Sequence, residues 1–260
     1  MNLLNLGCGT RYHNDWTNVD FHSTGSNVIA HNLLNGIPFK DGIFDVVYHS
    51  NVIEHFSKED APVFIQECYR VLKKDGIIRI VFPDLEQIVL HYIRLLGELK
   101  NNKKEYDDDY NWIMLELFDQ TVRNYSGGEM AKYLKGDVIP NEQFVISRLG
   151  IEGKYIINQG KVPLPPGQSI KKMVKKIMKL LFGKGYKMFE IGRFRLGGEI
   201  HQWMYDSYSL SRLLDSAGFR QVIVRDAYTS YIENWQMFNL DTEPDGSIYQ
   251  ADSNYIEALK

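Results

Sequence analysis

Residues 2–20 read NLLNLGCGTRYHNDWTNVD, and the fold turns on how this stretch divides. Asn2 to Leu6 is a short apolar run stopped by Gly7-Cys8-Gly9, the pattern of a buried parallel strand entering a tight glycine turn. Thr17 to Phe21 is a second β-rich run, with Asp20 near its end, and only Thr10 to Trp16 separates it from the turn. That interval leaves room for at most two helical turns. Working outward, Asn27 to His31 (NVIAH), Phe44 to His49 (FDVVYH) and Ile77 to Phe82 (IIRIVF) each follow turn-forming residues: Ser23-Thr24-Gly25-Ser26, Lys40-Asp41-Gly42 and Lys73-Lys74-Asp75-Gly76. Ala61 to Leu72 between the last two places its apolar residues at helical spacing. Strands alternating with crossovers predict an α/β fold: a Rossmann-like, doubly wound, mostly parallel sheet.

After Pro83 a helix is expected over Leu85 to Leu99, capped by Asp84, and the alternation then stops. Residues 101–198 hold an acidic stretch (Glu105 to Asp109), an aromatic-rich helical stretch (Tyr110 to Tyr125), and Pro163, Pro165 and Pro166. They read as a largely helical insertion after strand five. Sheet grammar resumes with a helix over Ser207 to Ser216, a Gly218 cap and a strand over Arg220 to Arg225; Asn254 to Leu259 makes a seventh strand. The expected division is therefore a core of 1–100 and 199–260 with an insertion or cap of 101–198 that binds the acceptor.

The 260 residues are 44% apolar and 13% aromatic, enough for one large domain with an insertion. No apolar run approaches the roughly 18 to 20 residues of a bilayer span. A net charge of −3 offers no general field for nucleic acid, and none is expected as a partner. Cys8 and Cys68 fall in core-like segments without zinc spacing, which fits a reducing compartment. With no export signal at the start, a cytoplasmic location is expected.

In an open α/β sheet a ligand binds beyond the carboxyl ends of the strands, where Gly7 and Gly9 let backbone approach it closely. A carboxylate at Asp20 can accept both hydroxyls of a ribose. A dinucleotide site would need a third glycine and a full helix whose N-terminus meets a pyrophosphate; the chain has Tyr12 and a short crossover instead. The ligand implied carries a ribose and no pyrophosphate.

NLGCG, NVD, GIPFKDGIFDVVYHSNVIEHF and YRVLKKDGIIRIVFPD together resemble the class I S-adenosylmethionine-dependent methyltransferases, most closely the type-11 domain branch. The resemblance covers residues 1 to about 90 and returns at YDSYSLSRLLDSAGF; it does not extend to 101–198. It implies S-adenosylmethionine as cofactor, with Gly7, Cys8 and Gly9 on the methionine part, Asp20 and Phe21 at the ribose, and Asn32, Leu33, Ser50 and Asn51 about the adenine and the reacting methyl. Asn32 stands where many relatives carry an acid, and its amide oxygen can still accept the adenine amine. The short first crossover leaves Tyr12 and His13 as candidates to close over the methionine end. The activity implied is methyl transfer to a small-molecule, glycan or lipid-linked acceptor, with oxygen favoured over nitrogen or carbon. The alternative is a cofactor-binding protein without chemistry that acts through its insertion.

Methyl transfer chiefly needs alignment, with removal of a proton where the acceptor is a hydroxyl. His55, just past strand four, is the candidate base, and His201, just before the returning helix, is the second catalytic candidate. Glu54 reads as a cap of the following helix. Asn51, Glu54 and His55 stand at i, i+3 and i+4, a spacing that brings ligands to one helix face, but no metal is assigned. His201 and Tyr205 read as substrate-facing, or else as a packed aromatic cluster with Trp203. Finally, Lys171, Lys172, Lys175, Lys176 and Lys179 fall on one arc of a helix over Ile170 to Phe182. Two readings stay open for it: a cap helix with solvated lysines, and a peripheral anchor at the inner membrane face.

Overall fold

The computed structural model describes residues 1–160 and 169–260, the side chains of 159–177 and 179–181 excepted. Its sheet has seven strands: β1 (Leu3–Leu6), β2 (Thr17–Asp20), β3 (Val28–Ala30), β4 (Phe44–Ser50), β5 (Leu72–Pro83), β6 (Arg220–Arg225) and β7 (Ser253–Leu259), in the order β3-β2-β1-β4-β5-β7-β6. The first five run parallel, and β7 lies antiparallel between β5 and β6. The strand order reverses between β1 and β4, so a ligand crevice is expected at their carboxyl ends. Lys73 to Gly76, expected as a turn, is a bulge inside β5, with Asp75 at φ 61° and a register shift against β4.

Of the first four connections only the last holds an α-helix, α1 (Asp60–Val71). One face of the sheet is covered by α1 and α7 (Ser207–Ser216), whose Phe64, Ile65, Leu210 and Leu214 pack on Leu4, Leu6, Val47 and Ile80. The other face is covered by the long connection between β6 and β7: Trp235 and Leu240 pack with Trp16, Tyr48, Val81 and Tyr255. Arg79 of β5 points into this layer and is fully buried. Its guanidinium donates to Asp241 (2.7 and 2.9 Å), to Glu257 (2.8 Å), and to the carbonyls of Asp226 (2.7 Å) and Thr229 (3.0 Å), so the connection is fastened to the sheet by a saturated fork.

The helical part comprises α2 (Leu85–Lys100), α3 (Asp107–Val122), α4 (Gly128–Leu134), α5 (Glu142–Gly160, broken at Gly150) and α6 (Ser169–Arg195, broken at Gly183). Asp84 caps α2, its Oδ1 accepting from Glu86 and Gln87. These helices have their own core, in which Ile88 and Leu95 of α2 meet Trp112, Ile113, Leu134, Val145 and Leu149. Ile88 and Leu95 of α2 belong to this core although α2 precedes residue 101. The lysine side chains of the Ile170 to Phe182 helix lie outside the described residues. Among the described residues no helix is long and apolar enough to cross a membrane.

One buried group makes the fold sensitive to acid. His49 of β4 packs against Phe64 (ring centroids 5.2 Å apart), and neither ring nitrogen has a hydrogen-bond partner among the described residues. Burial pushes its pKa down to about 3. The unfolded chain takes up a proton near pH 6.5 that the folded chain refuses, so this stability is intact above about 6.5 and is lost as pH falls toward 3. Between neutral pH and about pH 4 the loss should be roughly 3 kcal/mol from this residue. Urea denaturation at both pH values should show that loss in wild type and most of it abolished in His49→Leu; equal losses would clear His49 of the effect.

Candidate active site

The site is built around the turn after β1. Gly7 and Gly9 take φ of 64° and 54°, a region costly for side-chain-bearing residues. A Cβ on Gly7 would overlap the Val52 side chain, whereas one on Gly9 would meet no atom within 4 Å, so the backbone there lies open to a ligand. Asp20, at the end of β2, accepts from the Gly9 N–H (2.8 Å) and the His22 N–H (3.2 Å). Each oxygen keeps a lone pair for a further donor. The Cys8 thiol is pushed up to about 12, mainly by burial, and stays neutral.

Two cavities flank this turn. The larger, about 410 Å³, is lined by Gly7, Asp20, Phe21, Asn32, Leu33, Asn51 and His55, with Leu196 to Glu199 from the end of the helical unit. The smaller, about 220 Å³, is lined by Gly7, Cys8, Gly9 and Ser50, with Arg11, Glu152, Tyr249 and Gln250. Gly7, Cys8, Gly9, Asp20, Phe21, Asn32, Leu33, Ser50 and Asn51, which the sequence offered for the cofactor, each line one cavity or the other. Asn32 also caps a 3₁₀ turn, its Oδ1 accepting from the Leu34 N–H (3.0 Å), so one lone pair remains for another donor. Ser50 donates to Gln250 (3.2 Å), which donates to Glu152 of α5 (2.8 Å), joining β4 to the helical unit.

Tyr12 and His13 line neither cavity. The Tyr12 hydroxyl lies against Gly25, and His13 stands edge-on to Phe238 with ring centroids 5.3 Å apart. The neighbouring Arg11 borders the smaller cavity instead, held over the Tyr249 ring at 3.8 Å and paired with Glu243 at 2.9 Å. The sequence carried no sign of Glu152, Tyr249 or Gln250, which reach the site from α5 and from the connection to β7.

Beyond β4, Asn51 is left-handed (φ 51°) and Ile53–His55 form one 3₁₀ turn, so the helix face expected for Asn51, Glu54 and His55 is not formed. Glu54 does not cap α1. It is 1% exposed, both carboxylate oxygens lack hydrogen-bond partners among the described residues, and burial pushes its pKa up to about 8. His55 Nδ1 lies 3.1 Å from the Ile200 carbonyl. Since a carbonyl only accepts, the neutral ring carries its proton on Nδ1 and leaves the Nε2 lone pair free. Burial holds His55 below the ordinary imidazole range, and buried His201 lies further below it, with His55 and Arg123 adding to the effect. The two rings meet edge to face at 4.8 Å, and His201 Nε2 is 3.9 Å from Glu54 Oε1. Neither reading of Tyr205 holds: it is buried in the core beneath α7, while Trp203 is part-exposed under the Lys58 ammonium (4.2 Å).

Residues 4–80 match a family model described as a methyltransferase domain. Among solved structures, a SAM-dependent methyltransferase from Thermotoga maritima aligns at 13% identity over 100% of this chain and 82% of its own, with a TM-score of 0.40. A second, from Archaeoglobus fulgidus, aligns at 14% identity over 100% of this chain and 86% of its own, with a TM-score of 0.38. Phosphoethanolamine N-methyltransferase 2 of Haemonchus contortus, in complex with S-adenosyl-L-methionine, aligns at 11% identity over 100% of this chain and 49% of its own, with a TM-score of 0.37. No curated protein matches. Residues 4–80 thus form a methyltransferase domain, whose cofactor is S-adenosylmethionine.

Proposed function

We propose that this S-adenosylmethionine-dependent methyltransferase methylates a hydroxyl oxygen on an uncharged small molecule or glycan. The observation that carries the reading is that His55, which lines the larger cavity beside the end of β4, is neutral with its Nδ1 engaged by the Ile200 carbonyl and its Nε2 lone pair unprotonated. A nitrogen acceptor already has a lone pair to offer; a hydroxyl gains most from a group that eases its proton away.

The residues present fit the cofactor. Open backbone at Gly9 suits its methionine end, Asp20 suits the ribose hydroxyls, and Asn32 and Leu33 suit the adenine. When bound, it supplies an activated methyl group, which the acceptor oxygen takes as the carbon–sulfur bond breaks and its electron pair stays on sulfur. The chain's own part is to hold, orient and keep water out. No Lys or Arg lines the larger cavity among the described residues, while Asp20 and Glu199 do, which disfavours phosphorylated or carboxylated acceptors and suits a polyol or sugar. The helical unit supplies Leu196 to Glu199 to the rim and is assigned the acceptor's binding.

Two measurements test the cofactor site. S-adenosylmethionine at about 100 times its dissociation constant should add roughly 2.7 kcal/mol to stability, or about 5 to 10 °C in a thermal melt. A melt unmoved by the cofactor and raised by NAD would overturn the assignment of residues. Asp20→Ala should weaken cofactor binding about 10- to 150-fold, the loss of charge-assisted bonds worth roughly 1.5 to 3 kcal/mol. The Gly9 turn should also loosen, since Asp20 holds it. Unchanged affinity would remove Asp20 from the site. Transfer of labelled methyl to glycosides and alcohols, and not to amines, is the expected outcome for the acceptor class; absence of transfer to any acceptor would favour a binding protein without chemistry.

A further inference from the structure

We propose that Glu54, His55 and His201 form a binding site for one divalent transition cation of the Zn²⁺ or Co²⁺ kind, set in the wall of the acceptor cavity. One donor atom from each residue lies within 4.8 Å of the others. Metal–nitrogen and metal–oxygen bonds of about 2.0 to 2.2 Å place donor pairs roughly 3 to 4 Å apart, so small rotations of three side chains close the site. The 3.9 Å between His201 Nε2 and Glu54 Oε1 is already in that range.

Two independent observations point to a ligand. The first is the Glu54 carboxylate, 1% exposed with neither oxygen partnered among the described residues. A dry carboxylate without a donor is costly, and protonating it only exchanges an orphan acceptor for an orphan O–H. A cation satisfies it. The second is His55, whose Nδ1 is engaged by the Ile200 carbonyl and whose Nε2 is free, the outer-shell arrangement of a ligating histidine.

The scaffold is rigid on both sides of the site. The N–H groups of Gln202 and Trp203 donate to the Glu54 carbonyl (2.7 and 3.2 Å), and Gln202 Nε2 donates to the His55 carbonyl (2.9 Å). The Ile53–His55 turn and residues 200–203 are thereby stitched together, although far apart in sequence. Arg123, the cation bearing on both imidazoles, is drawn toward Glu199 at 3.6 Å.

Two imidazoles and one carboxylate select borderline transition ions over Mg²⁺ and Ca²⁺, which favour oxygen cages. Three protein ligands leave a coordination position, and His55 borders the cavity, so that position faces the acceptor. The consequence for chemistry rests on the hydroxyl-acceptor reading above: an acceptor oxygen bound to the cation gives up its proton to water at lower pH, and His55 acts as a ligand in that step.

The test is metal binding by the intact chain, stripped with a chelator and dialysed against Zn²⁺ or Co²⁺. About one ion per chain should bind, with a visible Co²⁺ absorption band of a nitrogen and oxygen site, and equimolar Mg²⁺ should not compete. Glu54→Gln, His55→Ala and His201→Ala should each weaken binding at least tenfold. A thermal melt without metal confirms that each variant is folded; if the two buried positions do not tolerate change, His55→Ala, at the cavity wall, decides alone. Binding equal in wild type and His55→Ala, substoichiometric binding, or displacement by Mg²⁺ would overturn the proposal. Metal bound without methyl transfer to any hydroxyl would uphold the site and sink the acceptor reading; chelator-resistant transfer by a chain that binds no metal would do the reverse.

Discussion

His55→Ala should lower turnover by about 10² to 10⁴ at saturating cofactor, while cofactor affinity moves by less than about threefold. The expectation follows from place: His55 shares the larger cavity with Asp20 and Asn32 but lies past the end of β4, at the side proposed for the acceptor. Titrating cofactor into the variant and measuring initial rates separates the two quantities. A loss of affinity with normal turnover would make His55 a cofactor contact. Full activity would make it packing against His201 and leave alignment alone to carry the reaction.

Arg79→Leu should cost about 3 to 5 kcal/mol, the penalty for leaving the buried carboxylates of Asp241 and Glu257 without their cation. The whole layer on that face depends on it, since the same guanidinium holds two carbonyls of the β6–β7 connection and lies 4.5 Å from the Trp235 ring. Chemical denaturation measures the effect. A loss under about 1 kcal/mol would mean that water reaches these carboxylates. Replacing Asp241 and Glu257 by apolar residues together with Arg79 should recover much of the loss, because the pair is costly mainly when broken.

Both results bear on what can be read from the chain. The strands were legible because β1, β4 and the second half of β5 are short, mostly apolar runs that follow or precede turn residues, and the glycine turn and Asp20 because β1 and β2 are so close in sequence. The cover of the second face was not legible. A sheet helix announces itself by period, but the β6–β7 connection packs through separated aromatics, and the partners of Arg79 lie 162 and 178 residues away. IIRIVF could not say which charge would meet its arginine. Glu54 reads locally as a helix cap because its burial is imposed from outside, by residues 200–203. His201 completes the cluster only through that same long contact. The helical unit's core was legible from Tyr110 onward, yet α2, read as part of the sheet layer, contributes Ile88 and Leu95 to it.

The place of β7 between β5 and β6 sets an order of events as the chain leaves the ribosome. Strands β1 to β5 emerge early and can pair among themselves, but β5 keeps an open edge and an incompletely matched arginine until Glu257, 178 residues later, has been made. During that interval β6 has no neighbour, for its ladder is with β7 alone. Closure is therefore a late, long-range step whose loop entropy is overcome last, and the half-built sheet is the species most exposed to capture by chaperones or by another nascent copy.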